Sequence, residues 1–432
     1  MLKDCDWIVT QDSQRRVLRN ASVRIHDGSI EEVGEISPVA KDDVIDCNRK
    51  VLIPGLINTH THLSMTLFRG SADDLALSEW LEKKIWPLES GLDGAMCYHG
   101  ALLGALEMTR TGTTCFVDQY YYMEDVAKAV AESGLRALLS VGLFDKSDKP
   151  ATVRGREHTL KFLNYVREMK NPLISFAVGP HAPYTCDRDT LLWARAIAEK
   201  EKALVNIHIA ETGGEQGKFE SEGKGRVVEY LDRIGFLCDR VLAAHSVWLT
   251  EREVKLYGKR GVRVAHCPVS NMKLANGGTA PVPEMWDAGV PVGLGTDGPS
   301  SNNGLDMFDT MKMTALIHKN VRRDPTIMNS QRVFDMATLD GARCIGHEKD
   351  LGSVEIGKRA DLVLLDLRDP NLIPVHAKET LVSDLVYSAS GFNVDTTIVE
   401  GKPLMVNRRF VNLNQEEISE GVMSSIARLF PQ

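Results

Sequence analysis

Residues 51–62 read VLIPGLINTHTH, an apolar run that ends in two histidines. It is the first of eight such runs, and stretches with helical periodicity separate most of them. The runs are VLIPGLINTH (51–60), TTCFVDQY (113–120), RALLSVGLF (136–144), ISFAVGPHA (174–182), LVNIHIAE (204–211), VLAAHS (241–246), VRVAHCP (262–268) and VPVGLGTD (290–297). Eight alternating strands and helices predict an α/β fold of the (β/α)8 TIM-barrel type. A doubly wound open sheet is the alternative, although no glycine-rich phosphate loop supports it.

The two ends of the chain follow a different, alternating pattern with Gly-containing turns. The N-terminal runs are WIVT, VRIHDGSIEEVG and KVLIPG, and the C-terminal runs are ADLVLLDL, DLVYSAS and TTIVEGKPLMVNRRF, before a closing helix, EEISEGVMSSIARLF. Gly401 is predicted to lie in a hairpin turn. We expect residues 1–52 and 346–432 to form one small β-sandwich domain, with the barrel spanning residues 53–345.

The composition excludes several classes of protein. Of the 432 residues, 43% are hydrophobic, which is enough for a large core and excludes disorder. A formal net charge of −8 disfavours nucleic acid or a membrane surface as the partner. No stretch is apolar enough to span a bilayer, and Asp4 and Asp6 interrupt any secretory signal. Eight scattered cysteines without a CxxC pair predict reduced thiols in a cytoplasmic protein, whose metal ligands would be histidines and carboxylates.

Polar side chains follow most of the eight apolar runs at the point where each run ends. These residues are His60, His62, His181, His208, Glu211, His245, His266 and Asp297. The carboxyl ends of parallel barrel strands meet at one mouth, so the side chains are expected to converge there. A metal site is the simplest explanation for so many histidines in one place.

Four of these residues form a plausible ligand set. His60 and His62 lie two apart in an extended run, so both rings project to the same side. Taken singly, the histidine pair could be solvated, His208 could be a core residue, and Asp297 could cap a helix or turn. Together, three histidines and one aspartate are what hydrolytic zinc sites use, with room left for water.

Two more polar residues have the chemistry of proton transfer. Glu211 follows His208 by three residues, which places its carboxyl beside the metal without requiring that it bind. Its alternative role is a solvated loop acid. His245 would lie across the mouth, where an imidazole can orient or polarise water, although it could also be an ordinary core histidine.

Longer motifs resemble one known family, the amidohydrolase superfamily. They are PGLINTHTHLSM, FRGSADDLALSEWLEKKIWPLE, GTTCFVDQYY, VGPHAPYTC, IHIAETGGE, LAAHSVWLT, VAHCPVSNMKLANG, GLGTDGPSSNN and GSVEIGKRADLVLLDL, spread over nearly the whole chain. Within it, the segment from FRG to WPLE, with GPHAPY and AHCPVSNMKL, closely resembles the branch of 5′-methylthioadenosine/S-adenosylhomocysteine deaminases and 5′-deoxyadenosine deaminases.

The resemblance implies a zinc-dependent hydrolytic deaminase of 5′-modified adenosines, adenosine itself included, which releases ammonia and the inosine analogue. It implies one Zn2+ per subunit, with Fe2+ as the alternative, and the metal ligands His60, His62, His208 and Asp297. It also implies that Glu211, His245 and Asp297 are catalytic and carry the proton transfers. For substrate binding it implies Glu89 at the ribose hydroxyls and His181 and Trp80 beside the nucleoside, with Glu211 and Asp297 at the reacting ring.

One departure bears on the 5′-substituent. Val141 stands where a close relative can have an arginine that grips the carboxylate of S-adenosylhomocysteine. Arg154 or Arg156, in the loop predicted to follow, could compensate. Smaller 5′-substituents, those of 5′-deoxyadenosine and methylthioadenosine, are therefore at least as well supported.

Two alternatives stay open at this point. The chain could hydrolyse another amino- or chloro-substituted heterocycle, of the guanine or s-triazine type, or it could be a barrel that binds metal without catalysis. The complete ligand set and Glu211 argue against the second alternative. A small-molecule nucleoside is the expected partner, and a homo-oligomer is compatible with barrels of this kind.

Overall fold

The computed structural model describes residues 1–145 and 148–430 and contains the predicted barrel. Its strands are β6 (Leu56–Thr61), β7 (Thr113–Tyr120), β8 (Arg136–Leu143), β9 (Ile174–Phe176), β10 (Gly179–Pro180), β11 (Val205–Ile209), β12 (Val241–His245), β13 (Arg263–His266) and β14 (Val292–Leu294). The short strands β9 and β10 share the fourth barrel position, because both pair with β8. All barrel pairings are parallel, as a βα repeat requires.

Contacts at two places close the ring where the ladders stop. The parallel bridge between Val178 and Val205 joins the first half of the barrel to the second. Between β14 and β6, the Thr59 hydroxyl donates to the Leu294 carbonyl at 2.9 Å. Just beyond, the Asp297 N–H donates to the His60 carbonyl at 3.0 Å. The (β/α)8 prediction is therefore confirmed.

The first apolar run is not one strand but two. It divides at Gly55 into β5 (Lys50–Pro54), which belongs to the sheet of the chain ends, and β6, which belongs to the barrel. A side chain at position 55 would place its Cβ 2.1 Å from the Thr114 hydroxyl oxygen. Glycine therefore allows the chain to pass closely over β7 as it changes sheets.

Strands from both chain ends pair in one nine-stranded sheet, in agreement with the predicted shared β domain. Its remaining strands are β1 (Leu2–Val9), β2 (Val17–His26), β3 (Ser29–Gly34), β4 (Ile45–Asp46), β15 (Leu362–Asp366), β16 (Val394–Val399), β17 (Lys402–Val406) and β18 (Arg409–Phe410). The sheet curls so that Gly401 of the hairpin after β16 approaches Gly28 of the hairpin after β2. This curl encloses a separate apolar core, consistent with a small β-sandwich. The predicted division at residues 52/53 and 345/346 stays a prediction, and residues 431 and 432 lie outside the described part.

The segment DLVYSAS (384–390) forms no strand, contrary to the sequence interpretation: its first four residues are helical. They lie at the end of α15 (Lys378–Tyr387). Leu381, Val382, Leu385 and Val386 are the buried positions, and this spacing follows the 3.6-residue helical period. The alternation that suggested a strand covers too few residues to distinguish the two periods.

The other helices cover the barrel and connect its strands. They are α1 (Leu77–Trp80), α2 (Trp86–Glu89), α3 (Gly94–Arg110), α4 (Met123–Ser133), α5 (Lys149–Met169), α6 (Arg188–Glu201), α7 (Gly213–Ser221), α8 (Val227–Arg233), α9 (Glu251–Arg260), α10 (Pro268–Lys273), α11 (Val282–Asp287), α12 (Met307–Arg322), α13 (Ser330–Ala337), α14 (Leu339–Ile345) and α16 (Gln415–Leu429). Among the described residues, no helix combines the length and apolar character needed to cross a bilayer. The eight cysteines, all in the described part of the chain, are free thiols.

Candidate metal centre and active site

The predicted ligands meet at the mouth of the barrel. The Oδ1 atom of Asp297 lies 3.3 Å from His62 Nε2 and 3.6 Å from His60 Nε2. The Nε2 atoms of His62 and His208 are 3.3 Å apart. Four ligands held at about 2.0–2.1 Å in a tetrahedron lie roughly 3.3 Å from one another, so these separations match a zinc-type site.

The tautomers of two histidines are set by backbone carbonyls. His62 Nδ1 donates to the carbonyl of Gln119 and His208 Nδ1 to that of His181, each at 2.7 Å. A carbonyl oxygen only accepts, so Nδ1 carries a proton in both rings and each Nε2 faces the centre. Burial lowers the pKa of His62, but the hydrogen bond and charge of Asp297 outweigh burial and raise it to about 9, so a metal binding at His62 Nε2 would displace a proton. Burial lowers the pKa of His208 to about 3, which keeps this ring in the neutral form that a metal requires.

His60 supplies the strongest sign that the site accepts an ion. Its side chain is fully buried, and neither ring nitrogen has a hydrogen-bond partner among the described residues. A buried polar atom without a partner costs about 1–3 kcal/mol, unless something else satisfies it. Three histidines with one carboxylate are donors suited to zinc or iron(II), so the residues present fit a divalent metal.

Asp297 is held as a carboxylate. Its Oδ2 atom accepts from the hydroxyls of Ser270 at 2.6 Å and Ser301 at 3.0 Å, which leaves Oδ1 facing the histidines. Burial alone would raise the pKa of Asp297, but the hydrogen bond and charge of His62 hold it well below its usual range.

Left-handed backbone turns aim the side chains at the strand ends. Ala210, His245, Ser246 and Asp297 all have positive φ, between 52° and 68°. Such conformations cost of order 1–3 kcal/mol each in a residue other than glycine, and they cluster at functional sites. Here they turn the chain sharply at the ends of β11, β12 and β14.

Glu211 and His245 lie side by side without bonding to each other. His245 Nε2 is 3.8 Å from Glu211 Oε2, while Glu211 Oε1 accepts from the Asn276 amide at 3.1 Å. Burial raises the pKa of Glu211, which favours a carboxyl that can hold and release a proton.

All the predicted substrate residues line one cavity, together with the predicted metal ligands His62, His208 and Asp297. Glu89 Oε1 accepts from the Tyr120 hydroxyl at 2.8 Å, and burial raises the pKa of Glu89 to about 7. His181 stacks on Phe144 with ring centroids 4.3 Å apart. Trp80 is buried in the same wall. The arrangement suits a flat ring with a polar tail.

A second cavity adjoins the first through shared residues, among them Trp86 and Glu89. Val141 and Arg154 line it. Arg156 instead donates to the Thr190 hydroxyl at 3.1 Å and stacks over the Trp193 ring. Both arginines lie on α5 and not in a loop, so the structure corrects that expectation.

His266 does not join the other strand-end residues at the first cavity, although its position predicted that it would. Its Nε2 lies 3.2 Å from Nε2 of His318 on α12, and it does not line the first cavity. Its ring therefore faces the outer helix α12.

Sequence reasoning missed the residues that support the site. Gln119 and Tyr120 end the second apolar run and could have been found by the strand-end rule. Asn271 and Asn276 follow the seventh run, in VAHCPVSNMKLANG, where no spacing distinguishes them from ordinary turn residues.

Comparisons with known proteins agree with this geometry. The sequence profile of the amidohydrolase family matches residues 51–404 of this chain. The chain is 44% identical over 413 residues to a 5′-deoxyadenosine deaminase of Methanobrevibacter smithii, covering 94% of this chain and 93% of that protein. It is 42% identical over 400 residues to a 5-methylthioadenosine/S-adenosylhomocysteine deaminase of Thermococcus sibiricus, with coverages of 93% and 92%.

A solved structure of an adenosine deaminase from Xanthomonas campestris with bound zinc superposes with a TM-score of 0.92 at 33% identity, covering 99% of each chain. An atrazine chlorohydrolase from Arthrobacter aurescens superposes with a TM-score of 0.90 over 98% of this chain and 99% of that one. Its identity is 23%, so this likeness shows the fold alone.

Proposed function

Because the chain belongs to the amidohydrolase family, we propose that it is a metal-dependent deaminase of 5′-modified adenosines. Family membership confirms the predicted resemblance and makes the chain an enzyme, a hydrolase. The names of its relatives support an adenosine-type deaminase. The observation that carries the proposal is the cavity itself, which joins the ligand cluster, the Glu211 carboxyl and the Glu89 carboxyl in one space.

The proposed metal is one zinc ion, held by His60, His62, His208 and Asp297, with iron(II) as the alternative. A divalent ion at this position supplies Lewis-acid activation of water at neutral pH. The zinc-bound relative supports this assignment, and so does the buried His60 ring, whose nitrogens find no hydrogen-bond partner in the part of the chain that the structure describes.

The chain's own residues move the protons of the reaction. Water adds at C6 of the adenine ring, and His245 and Asp297 accept its protons. Glu211 delivers a proton to the ring nitrogen and then helps the amino group leave. Of the two water protons held by His245 and Asp297, one passes to the amino group, which departs as ammonia, and the other returns to Glu211. Burial raises the pKa of Glu211, and a raised pKa supports this role because it favours the protonated carboxyl that a proton donor needs.

Glu89, His181 and Trp80 are proposed to select a nucleoside. The Glu89 carboxyl accepts hydrogen bonds from the two ribose hydroxyls, and the indole of Trp80 packs beside the nucleoside. The buried Trp80 Nε1 has no partner in the described residues, which supports a role in contacting a ligand.

Arg154 is proposed to face the 5′-substituent. It lines the cavity that adjoins Glu89, whereas Arg156 is already engaged with Thr190 and Trp193. A guanidinium there would attract the carboxylate of S-adenosylhomocysteine. The smaller 5′-deoxyadenosine and methylthioadenosine leave Arg154 unused, so all three are proposed substrates.

A substrate panel tests the function. Metal-replete protein is assayed for ammonia release from adenosine, 5′-deoxyadenosine, methylthioadenosine, S-adenosylhomocysteine, adenine, guanine and a chlorotriazine, with metal content measured on the same samples. We expect the 5′-modified adenosines to give the highest kcat/KM and adenine at least tenfold less. If only the ribose-free rings react, the nucleoside assignment is wrong and the heterocycle alternative holds.

A further inference from the structure

Two asparagines connect the proposed proton-transfer groups. Asn271 Oδ1 lies 2.9 Å from His245 Nδ1, and the Asn276 amide donates to Glu211 Oε1 at 3.1 Å. The same amide reaches Asn271 Oδ1 at 3.4 Å, so the four side chains form one continuous chain of contacts. All four are at most 5% exposed. Such low exposure makes these contacts stronger than they would be in water.

The backbone explains why the two asparagines come together. They flank the end of α10, where Ala275 adopts a left-handed conformation with φ of 49°. The Asn276 N–H then donates to the Asn271 carbonyl at 3.0 Å, and the Ala275 N–H to the Met272 carbonyl at 3.1 Å. This pair of bonds is a Schellman turn, which usually requires glycine at the left-handed position. An alanine there adopts this conformation against a steric cost that glycine avoids.

A third contact fixes the far side of the turn. The indole Nε1 of Trp248 donates to the Asn276 carbonyl at 2.7 Å. Trp248 follows His245 by three residues on the segment after β12. The turn is therefore tied to the same strand end that carries His245, so the two cannot shift independently.

We propose that Asn271 and Asn276 are positioning residues that set the tautomer of His245 and the orientation of Glu211 for the deamination. The inference rests on the proposed function for its catalytic consequence. An amide oxygen only accepts, so Asn271 makes Nδ1 the protonated nitrogen of a neutral His245 and leaves a lone pair on Nε2. Asn276 holds Oε1 of Glu211, so Oε2 stays on the side of His245 Nε2.

The arrangement also keeps the two groups apart. Glu211 Oε2 lies only 3.8 Å from His245 Nε2. Without Asn276, a small rotation of the Glu211 carboxyl would bring these two atoms within hydrogen-bond distance. That bond would occupy both the proton donor, Glu211, and the proton acceptor, His245. The asparagine bridge leaves each free to meet the reacting atoms.

Substitution at position 271 separates hydrogen bonding from shape. Asn271→Asp keeps an acceptor oxygen for His245 and for Asn276, and it gives up only Nδ2, which has no partner in the described residues. Asn271→Leu has a similar volume and removes the acceptor. Met272→Leu, one residue further along α10 with its side chain 39% exposed, is the matched control for disturbance of the helix.

Steady-state kinetics of the zinc-loaded enzymes give the first result. We expect Asn271→Leu and Asn276→Leu to lose about 10–100-fold in kcat, with KM changed less than threefold, as for other residues that orient a catalytic group. Asn271→Asp should keep at least a third of the kcat, and Met272→Leu should match the wild type. Equal losses for Asn271→Asp and Asn271→Leu, or no loss for Asn271→Leu, would overturn the inference.

Nitrogen NMR of 15N-histidine-labelled, zinc-loaded protein gives a readout that does not depend on turnover. The His245 signals are assigned by their loss in His245→Gln. We expect a protonated Nδ1 and an unprotonated Nε2 in the wild type, and a shift towards the other tautomer in Asn271→Leu. An unprotonated Nδ1 in the wild type overturns the inference, even if the Leu variant does not fold. Absence of ammonia release from every nucleoside refutes the proposed function instead, and leaves the tautomer reading intact.

Discussion

Replacing Glu211 by Gln removes a proton carrier and little else from the site. Oε1 of Glu211 accepts from Asn276 at 3.1 Å, and the amide oxygen of Gln can accept the same bond. The ligand cluster of His60, His62, His208 and Asp297 is unchanged by this substitution, so metal content should stay at the wild-type level. Loss of a general acid costs about 10²–10⁴-fold in kcat. That range corresponds to about 2.7–5.5 kcal/mol in the activation free energy.

The assay is ammonia release from 5′-deoxyadenosine, with zinc measured on the same preparation. Glu215→Gln is the matched control, because Glu215 is a second buried carboxyl four residues further along the chain. Its Oε2 accepts from the Glu211 N–H at 2.9 Å, a bond that Gln can also accept, and it does not line the first cavity. We expect the control to keep at least a third of the wild-type kcat. Near-normal turnover by Glu211→Gln, or equal losses in both variants, would refute the assigned role.

Three further predictions concern substrate and metal. Burial raises the pKa of Glu89 to about 7, so the carboxyl ionises as pH rises through 7 and then accepts stronger hydrogen bonds. In steady-state kinetics, KM for 5′-deoxyadenosine should therefore fall between pH 6 and 8, and Glu89→Gln should flatten that dependence. A steep KM profile that persists in the Gln variant would contradict this assignment. Arg154→Ala should raise KM for S-adenosylhomocysteine about tenfold or more and leave KM for 5′-deoxyadenosine unchanged, while Arg156→Ala should alter neither KM. Equal effects of the two variants on KM for S-adenosylhomocysteine would argue against a contact by Arg154. Dialysis against a chelator should abolish activity and lower the melting temperature measured by calorimetry, because a ligand at a thousandfold excess over its Kd stabilises the folded state by about 4 kcal/mol. An unchanged melting temperature after verified metal removal would show that the histidine cluster does not couple metal binding to folding.

Some parts of the fold could be predicted because they depend on local pattern. The apolar runs from TTCFVDQY onwards each contain the corresponding barrel strand, since a strand buried on both faces needs consecutive apolar residues. The polar residues at their ends converge because parallel strands share a carboxyl edge. The run at 51–60 failed as a single strand because only its packing over Thr114 shows that the chain changes sheets at Gly55.

By itself, the sequence determined the barrel, the pairing of the chain ends, and the residue types of a metal site, because period and strand-end position are properties of neighbours along the chain. Tertiary structure alone decided which polar residues act together. Arg154 and Arg156 lie two apart on a helix, about 200° around its axis, so one lines the cavity and the other faces α6. His266 turns to His318 on a distant helix, and Asn276 reaches Glu211 across 65 residues of sequence. Such contacts depend on how whole elements pack, and no local spacing encodes that packing.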